Sequence, residues 1–115
     1  MINYHTQLVD TLSSVLPTHY ELFLKSGLDT PCISYQESNN YTEIGGDSLG
    51  YAQVTYTIKV WAKRMSDIQT YAARIDDALR PLGWRLTASG ELTDGSMIQK
   101  ILTYNARFKE IYDEV

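Results

Sequence analysis

A run of alternating side chains from Tyr51 to Trp61 constrains the fold of this chain more than any other feature. Its sequence is YAQVTYTIKVW, and one parity carries Ala52, Val54, Tyr56, Ile58 and Val60. A period of two is typical of a β-strand with one buried face. At about 3.3 Å per residue the run spans roughly 36 Å, which is long for a strand in a small domain. We therefore expect a strand that crosses a whole sheet or projects beyond its edge.

The length and composition of the chain predict one globular domain. Its 115 residues are enough for a single hydrophobic core. Apolar residues make up 43% of the chain and charged residues 21%, as in ordinary folded domains. The N-terminus lacks a basic and apolar leader, and no apolar stretch is long enough for a membrane span. We therefore expect residues 1–115 to form one soluble, intracellular domain that does not contact a membrane.

Two segments, Asn3–Leu16 and Asp67–Arg80, carry apolar residues at helical spacing. A proline follows each segment, and it ends a helix because the residue before a proline disfavours the helical conformation. The second segment begins near Ser66–Gln69, which has the S-x-x-Q pattern of a capping box. Both segments predict amphipathic helices with one apolar stripe each.

Four further segments alternate well enough to predict strands. They are His19–Lys25, Pro31–Glu37, Trp84–Thr93 and Met97–Lys109. The elements then follow in the order α-β-β-β-α-β-β. Helices with one apolar stripe and strands with one apolar face are both satisfied when the helices cover one side of a sheet. We therefore predict an α+β fold with a mostly antiparallel sheet of about five strands, two helices packed on one face, and a long loop or hairpin arm.

The dipeptide Asp94-Gly95 predicts a hairpin between the last two strands. A two-residue turn formed by this dipeptide would place the apolar sets of the two strands on opposite faces. A three-residue loop that includes Ser96 aligns Leu92 with Ile98 and places both apolar sets on one face. Because a slip of one residue turns every side chain over, we predict the three-residue loop, with its glycine left-handed.

The segment Ser38–Gly50, with sequence SNNYTEIGGDSLG, separates the second predicted strand from the long one. It exceeds the roughly 2–5 residues of an ordinary hairpin loop. Long connections within compact domains are often functional. We therefore interpret residues 38–50 as a projecting arm.

No constellation of residues predicts catalysis, a cofactor or a metal site. His5 and His19 lack metal-ligand spacing, and neither is placed by sequence to act as a base for Cys32. The glycine-rich segment Gly45–Gly50 lacks the Lys-Ser/Thr pair of a phosphate loop and leads into a strand. The neighbours Asp76-Asp77 would point about 100° apart on a helix, which does not suit an acid/base pair. We therefore do not expect an enzyme.

Aromatic residues near the strand ends are candidates for a partner surface. Tyr51 and Trp61 lie on the polar parity at the two ends of the long strand. Tyr35 and Tyr41 flank the base of the 38–50 arm. Aromatic residues on a polar face are enriched among interface anchors. The alternative is that these rings cover a loop of the same chain.

Several short segments together resemble a known family. They are PCISYQESNN, GGDSLGY, VTYTIKVWA, IDDALRPLGW and KILTYNARFKE. With the order of the elements, they resemble the tail-terminator, tail-to-head joining (tail completion) proteins of long-tailed bacteriophages and related prophages, over residues 16–110. The resemblance implies a structural subunit that forms a closed ring, commonly a hexamer. The ring caps the tail tube, stops its growth and presents a surface to the head.

The resemblance also implies partners and a place in the virion. The partners are other copies of the chain, the tail tube protein and the head connector or neck protein. The ring belongs in the tail-neck region after assembly in the host cytoplasm. DNA passes through its lumen without specific binding, and a net charge of −4 suits this passage because like charge discourages contact with phosphate.

In this family the arm between early strands contributes to contacts between subunits or with the tube. By position in the fold, this role falls on residues 38–50. The predicted interface set is Tyr35, Tyr41, Ile44, Leu49, Tyr51 and Trp61. Two alternatives remain, a head-completion or neck connector protein and a small α+β ligand-binding or regulatory domain.

Overall fold

The structure is a computed structural model that describes residues 4–20, 30–44 and 50–109. Within these ranges the side chains of residues 38–44, 50–53, 94 and 107–109 are outside the description. The elements are α1 (Tyr4–Ser13), β1 (Thr18–Tyr20), β2 (Cys32–Ile44), β3 (Gly50–Ala62), α2 (Met65–Leu79), β4 (Arg85–Asp94) and β5 (Met97–Lys109). The predicted α+β class and the order α-β-β-β-α-β-β are confirmed.

The five strands form one sheet in the order β1-β2-β3-β5-β4. β1 pairs with β2 in parallel, and the other neighbouring strands are antiparallel. The sheet is therefore mixed and mostly antiparallel, as predicted. β3 carries the long alternating run, and it pairs with β2 and β5 from Tyr51 to Trp61 on both of its sides.

The hydrophobic core combines buried residues of both helices with one face of β3. The helices contribute Leu8, Leu12, Ile68, Ile75 and Leu79, and β3 contributes Val54, Tyr56, Ile58, Val60 and Ala62. Burying one aliphatic side chain of this size contributes about 1.5–3 kcal/mol. The intervening residues of β3 from Thr55 to Trp61 lie on the opposite side of the sheet, which we call the outer face. The alternating pattern of β3 thus sets the position of both helices.

The N-terminus of α2 differs from the predicted one. The helix begins at Met65, so Ser66 lies within its first turn, and the N-cap is Arg64 without a side-chain hydrogen bond. The predicted capping box is therefore wrong. At its other end α2 continues into a 3₁₀ turn, Arg80–Leu82, which Gly83 closes in the left-handed conformation at φ 98°.

Two predicted elements are shorter within the described residues. α1 ends at Ser13, three residues before the predicted end. The Ser14 hydroxyl donates to the Thr11 carbonyl at 2.6 Å, and bonds of this kind compete with helical backbone bonds. β1 ends at Tyr20, and the rest of the predicted strand, up to Lys25, lies outside the described residues.

The hairpin of β2 and β3 is longer than predicted. β2 does not end at Glu37 but continues to Ile44, and β3 begins at Gly50. A bulge leaves Ser38 unpaired between Glu37 and Asn39 and shifts the register by one residue. Asparagine is depleted in strands, so composition concealed this segment, whereas pairing with the long β3 overrides the local preference.

The turn between β4 and β5 contains two residues, Gly95 and Ser96. The predicted three-residue loop is therefore wrong, although Gly95 is left-handed as predicted, at φ 63°. Leu92 pairs with Gln99 and not with Ile98. The parity argument failed because β4 is exposed along its described side chains, so burial does not fix its register.

Candidate assembly surface

Two tyrosines that face each other on β3 and β5 join the helices to the sheet. Tyr56 and Tyr104 are register partners, and both are fully buried. The Tyr56 hydroxyl lies 2.9 Å from Nδ1 of His5 on α1, and the Tyr104 hydroxyl donates to Oδ1 of Asp76 on α2 at 3.0 Å. Burial raises the pKa of both phenols, and the bond to Asp76 further raises that of Tyr104. These contacts join α1 to β3 and α2 to β5 on the helix side of the sheet.

Sequence reasoning missed this pair of contacts. It considered Asp76 only as half of an unsuitable acid/base pair, whereas the structure gives this carboxylate both Tyr104 and Arg80 as partners. It considered His5 only as a metal ligand or a base, whereas its side chain contacts the buried Tyr56. The helical spacing of α2 gives no sign of the contact, because Tyr104 is 28 positions away in the sequence.

Tyr35 lies in the core rather than on an open surface. Its side chain is 8% exposed, and its ring centroid lies 5.4 Å from that of Tyr20 and 5.8 Å from that of His5. Burial, with a smaller contribution from Tyr20, raises its pKa. As a member of the predicted interface set, Tyr35 therefore offers little area to a partner.

Trp61 lies on the outer face, at the end of β3 farthest from the β2–β3 turn. Its ring is half-buried, and Nε1 donates to Oγ of the fully buried Ser34 at 2.9 Å. Across the same face Asn105 donates to the Thr55 hydroxyl at 2.9 Å. The outer face is thus polar and internally bonded, with one partly accessible tryptophan at its end.

Three other members of the predicted interface set fall in the β2–β3 hairpin beyond the bulge, and we call residues 38–44 and 50–53 the hairpin arm. In the backbone register Tyr41 pairs with Gln53, Ile44 with Gly50, and Tyr51 with both Glu43 and Lys109. β5 runs beside β3 here, so the arm joins a three-stranded ribbon. Leu49 lies outside the described residues. The set is thus divided among the arm, the far end of β3 and the core, and its interface role stays a prediction.

β4 forms one edge of the sheet, and sequence reasoning did not identify it as a surface feature. Its described side chains, Arg85 to Thr93, are all exposed. Two of its apolar residues are conspicuous, since Leu86 is 43% and Leu92 55% exposed. The weak apolar content of RLTASGELTD was the available signal for an exposed strand.

Two surface clefts lie among the described residues. The larger, about 340 Å³, is lined by Asp76, Arg80, Trp84, Arg85 and Leu86. Arg80 pairs with Asp76 at its wall, and three of its lining side chains are exposed. The smaller, about 170 Å³, lies where α2 begins and is lined by Thr30, Pro31, Ala62, Lys63, Arg64 and Asp67. Neither encloses a ligand in the way that small-molecule pockets commonly do.

The residues considered for chemistry are dispersed or buried. Cys32 is 1% exposed, and His19 pairs with Ser34 in the sheet register. In the described ranges no three histidine, cysteine or acidic residues are grouped closely enough to hold a metal ion. The same ranges contain no helix with the length and apolar content needed to cross a membrane.

The fold belongs to the α+β class, with two helices on a five-stranded mixed sheet. A chain from the virion of a native gene transfer agent (GTA) particle has a similar fold, with a TM-score of 0.50 and 16% sequence identity. The match covers 90% of this chain and 84% of that chain. No family model matches the sequence, and no curated protein does. At this identity the likeness shows a shared fold.

Proposed function

We propose that this chain is a structural protein of a phage-like virion, and within that class a tail-terminator subunit that forms a ring. The fold shared with a chain of a virion particle carries the first part of the proposal, because the similarity spans most of both chains. The element order and the segment similarities to tail-terminator proteins support the second part. In this role the chain is not an enzyme.

The hairpin arm supports assembly through strand contacts. β2 continues for seven residues past Glu37, well beyond its pairing with β1, and the molecule measures 52 × 23 × 21 Å. A ring needs two different patches on each subunit, a projecting one and a receiving one. The arm supplies the projecting patch, with Tyr41, Ile44, Leu49 and Tyr51 as its large side chains.

Polar contacts among the helices and strands also support a structural role. Asp76, His5 and Ser34 each contact the polar atom of a large aromatic residue, and these contacts join neighbouring elements. Such contacts between neighbouring elements stabilise one conformation of the subunit. A rigid subunit suits a ring that must match a tail tube on one side and a head connector on the other.

The ring would lie in the tail-neck region of the virion, with DNA passing through its lumen. Its partners would be the tail tube protein and the head connector or neck protein. A head-completion or neck connector role differs from this in docking partner and symmetry. A small ligand-binding or regulatory domain would use the larger cleft, and binding of a small molecule there without ring formation would favour it.

Deletion of Thr42–Ser48 tests the proposal. We expect the full chain to form rings when it is mixed with tail tubes, seen by negative-stain electron microscopy as a cap on the tube. The deletion should keep the circular dichroism spectrum and abolish the cap. Two single substitutions refine the test. Ile44→Ala changes the arm and should weaken the cap. Leu82→Ala removes an exposed leucine elsewhere and serves as its control. Caps formed equally well by the deletion variant would contradict the role of the arm.

A further inference from the structure

The outer edge of β4 is an open pairing surface. β4 is the last strand of the sheet, and within the described chain only β5 pairs with it. An edge strand presents unpaired backbone donors and acceptors, which favour the addition of another strand. The strand contains no proline, and Leu86 and Leu92 are exposed on it. Among the described residues no strand pairs with the outer edge of β4, and its side chains from Arg85 to Thr93 are exposed.

The faces of β4 follow from its register with β5. Leu86 pairs with Tyr104, whose side chain is in the core, so Leu86 lies on the helix side. A bulge leaves Thr87 unpaired, and Ala88 then pairs with Thr103 on the outer face. The outer face thus receives Arg85, Ala88, Gly90 and Leu92, and the helix side receives Leu86, Ser89, Glu91 and Thr93.

The strand is complementary to itself in the antiparallel direction. If a two-fold axis passes through Gly90, Arg85 of one copy lies opposite Asp94 of the other. In the same register Leu92 lies opposite Ala88, Leu86 opposite Thr93, and Ser89 opposite Glu91, with Thr87 as the bulge. The pairs among the described side chains each have both members on the same face, and the register places Arg85 opposite Asp94 twice. Opposite charges and apolar pairs directly across a ladder stabilise it.

Neighbouring registers are less favourable. An axis through Glu91 places two glutamates against each other, which is destabilising. An axis through Ser89 places Leu86 opposite Glu91 and Arg85 opposite Leu92. Only the Gly90 register among these three gives Arg85 an acidic partner, and in the described part of the chain Arg85 makes no ion pair.

We propose that two copies of this chain associate through β4, in antiparallel register about Gly90, and form a continuous sheet across a two-fold axis. An isologous contact of this kind closes on itself and stops at the dimer. The pairing goes beyond the proposed function and does not depend on it, because β4 and the hairpin arm are separated in the sheet by β5.

Cysteine cross-linking tests the register directly. Cys32 is 1% exposed and is the single cysteine of the chain, so an introduced surface thiol is the reactive one. Gly90→Cys adds a side chain where no atom lies within 4 Å of the new Cβ. Residues directly opposite in an antiparallel pair have Cα atoms about 4.5–5.5 Å apart, which suits a disulfide. The matched control is Ala73→Cys, exposed on α2.

In a glutathione redox buffer we expect Gly90→Cys to form a covalent dimer at least roughly tenfold faster than Ala73→Cys, because pairing holds the thiols at high effective concentration. Equal rates for the two variants would overturn the proposal. Equal rates are also expected if the edge of β4 instead accepts a strand of a different protein or the arm of a ring neighbour. Each of these outcomes rejects the two-fold contact.

A charge exchange provides the second test, measured by sedimentation of the full chain. Arg85→Asp and Asp94→Arg should each weaken the dimer roughly tenfold, because each replaces two attractive contacts with two repulsive ones. The double variant Arg85→Asp/Asp94→Arg should recover the affinity. Recovery excludes misfolding as the cause of the single-variant losses. A double variant as weak as either single one would contradict the pairing, and ring formation by the arm would be unaffected.

Discussion

The Tyr104 hydroxyl donates a hydrogen bond to Oδ1 of Asp76 at 3.0 Å, and this bond joins the middle of β5 to α2. The same carboxylate forms an ion pair with Arg80, where α2 passes into its 3₁₀ turn. On the neighbouring strand the register partner Tyr56 contacts His5 of α1. One cross-strand tyrosine pair thus contacts both helices, in addition to the packing of their buried apolar residues on the sheet.

Tyr104→Phe should destabilise the fold by about 1–2 kcal/mol, because it removes a hydrogen bond to a charged group and keeps the buried ring. Urea denaturation followed by circular dichroism measures this change. Tyr71→Phe is the matched control, since the Tyr71 ring is partly buried against the core and the Arg74 guanidinium lies over its face. A loss in Tyr104→Phe no larger than that of the control would show that the bond to Asp76 does not stabilise the subunit.

Stability should fall at alkaline pH because of the same two tyrosines. Burial raises the pKa of Tyr56 and Tyr104 above their ordinary value of 10.0. Above that pH the unfolded chain therefore loses phenol protons that the folded chain retains, and the free energy of unfolding decreases as pH rises. Denaturation at several pH values between about 9 and 11 measures the slope.

The double variant Tyr56→Phe/Tyr104→Phe isolates this contribution from other groups that titrate at high pH. It should be less stable than the natural chain at pH 8, and its stability should depend less on pH above 10. An identical slope in both proteins would mean that these phenols do not account for the alkaline loss.

The sequence was sufficient for those parts of the fold in which burial imposes a period. The alternation of β3 placed Val54, Tyr56, Ile58 and Val60 in the core, and the spacing of α2 placed Ile68, Ile75 and Leu79 there. In these segments a shift in register would expose apolar side chains to water, so the pattern and the structure must agree.

The sequence did not predict the strand registers, turns and contacts that do not depend on the burial of a periodic apolar face. The turn after Asp94 follows the exposed strand β4, and the registers at this turn and at the Ser38 bulge depend on backbone pairing that no side-chain pattern records. The contact between Tyr104 and Asp76 joins residues that are distant in sequence and adjacent in the fold. For the interface set, composition selected aromatic residues but could not separate Tyr35, which is in the core, from Trp61, which is partly accessible.

Trp61 should report assembly, whereas Trp84 should not. Trp84 is fully buried, and Trp61 is half-buried on the outer face. In protein labelled with 5-fluorotryptophan, the ¹⁹F resonance of Trp61 should shift when tail tubes are added, because an interface removes water from its ring. The variant Trp61→Phe assigns the two resonances. Equal shifts at both sites, or none at Trp61, would exclude this residue from the assembly surface.

Two glycines should respond in opposite directions to alanine. Gly83 closes the turn after α2 at φ 98°, a conformation that a side chain disfavours, so Gly83→Ala should destabilise the fold by about 1 kcal/mol. Gly90 lies in β4 without a positive φ and without an atom within 4 Å of an added Cβ. Gly90→Ala should therefore stabilise by about 0.5 kcal/mol, because alanine restricts the unfolded chain. Thermal unfolding of both variants measures the difference, and a loss in Gly90→Ala as large as that in Gly83→Ala would contradict the assignment of strain to Gly83 alone.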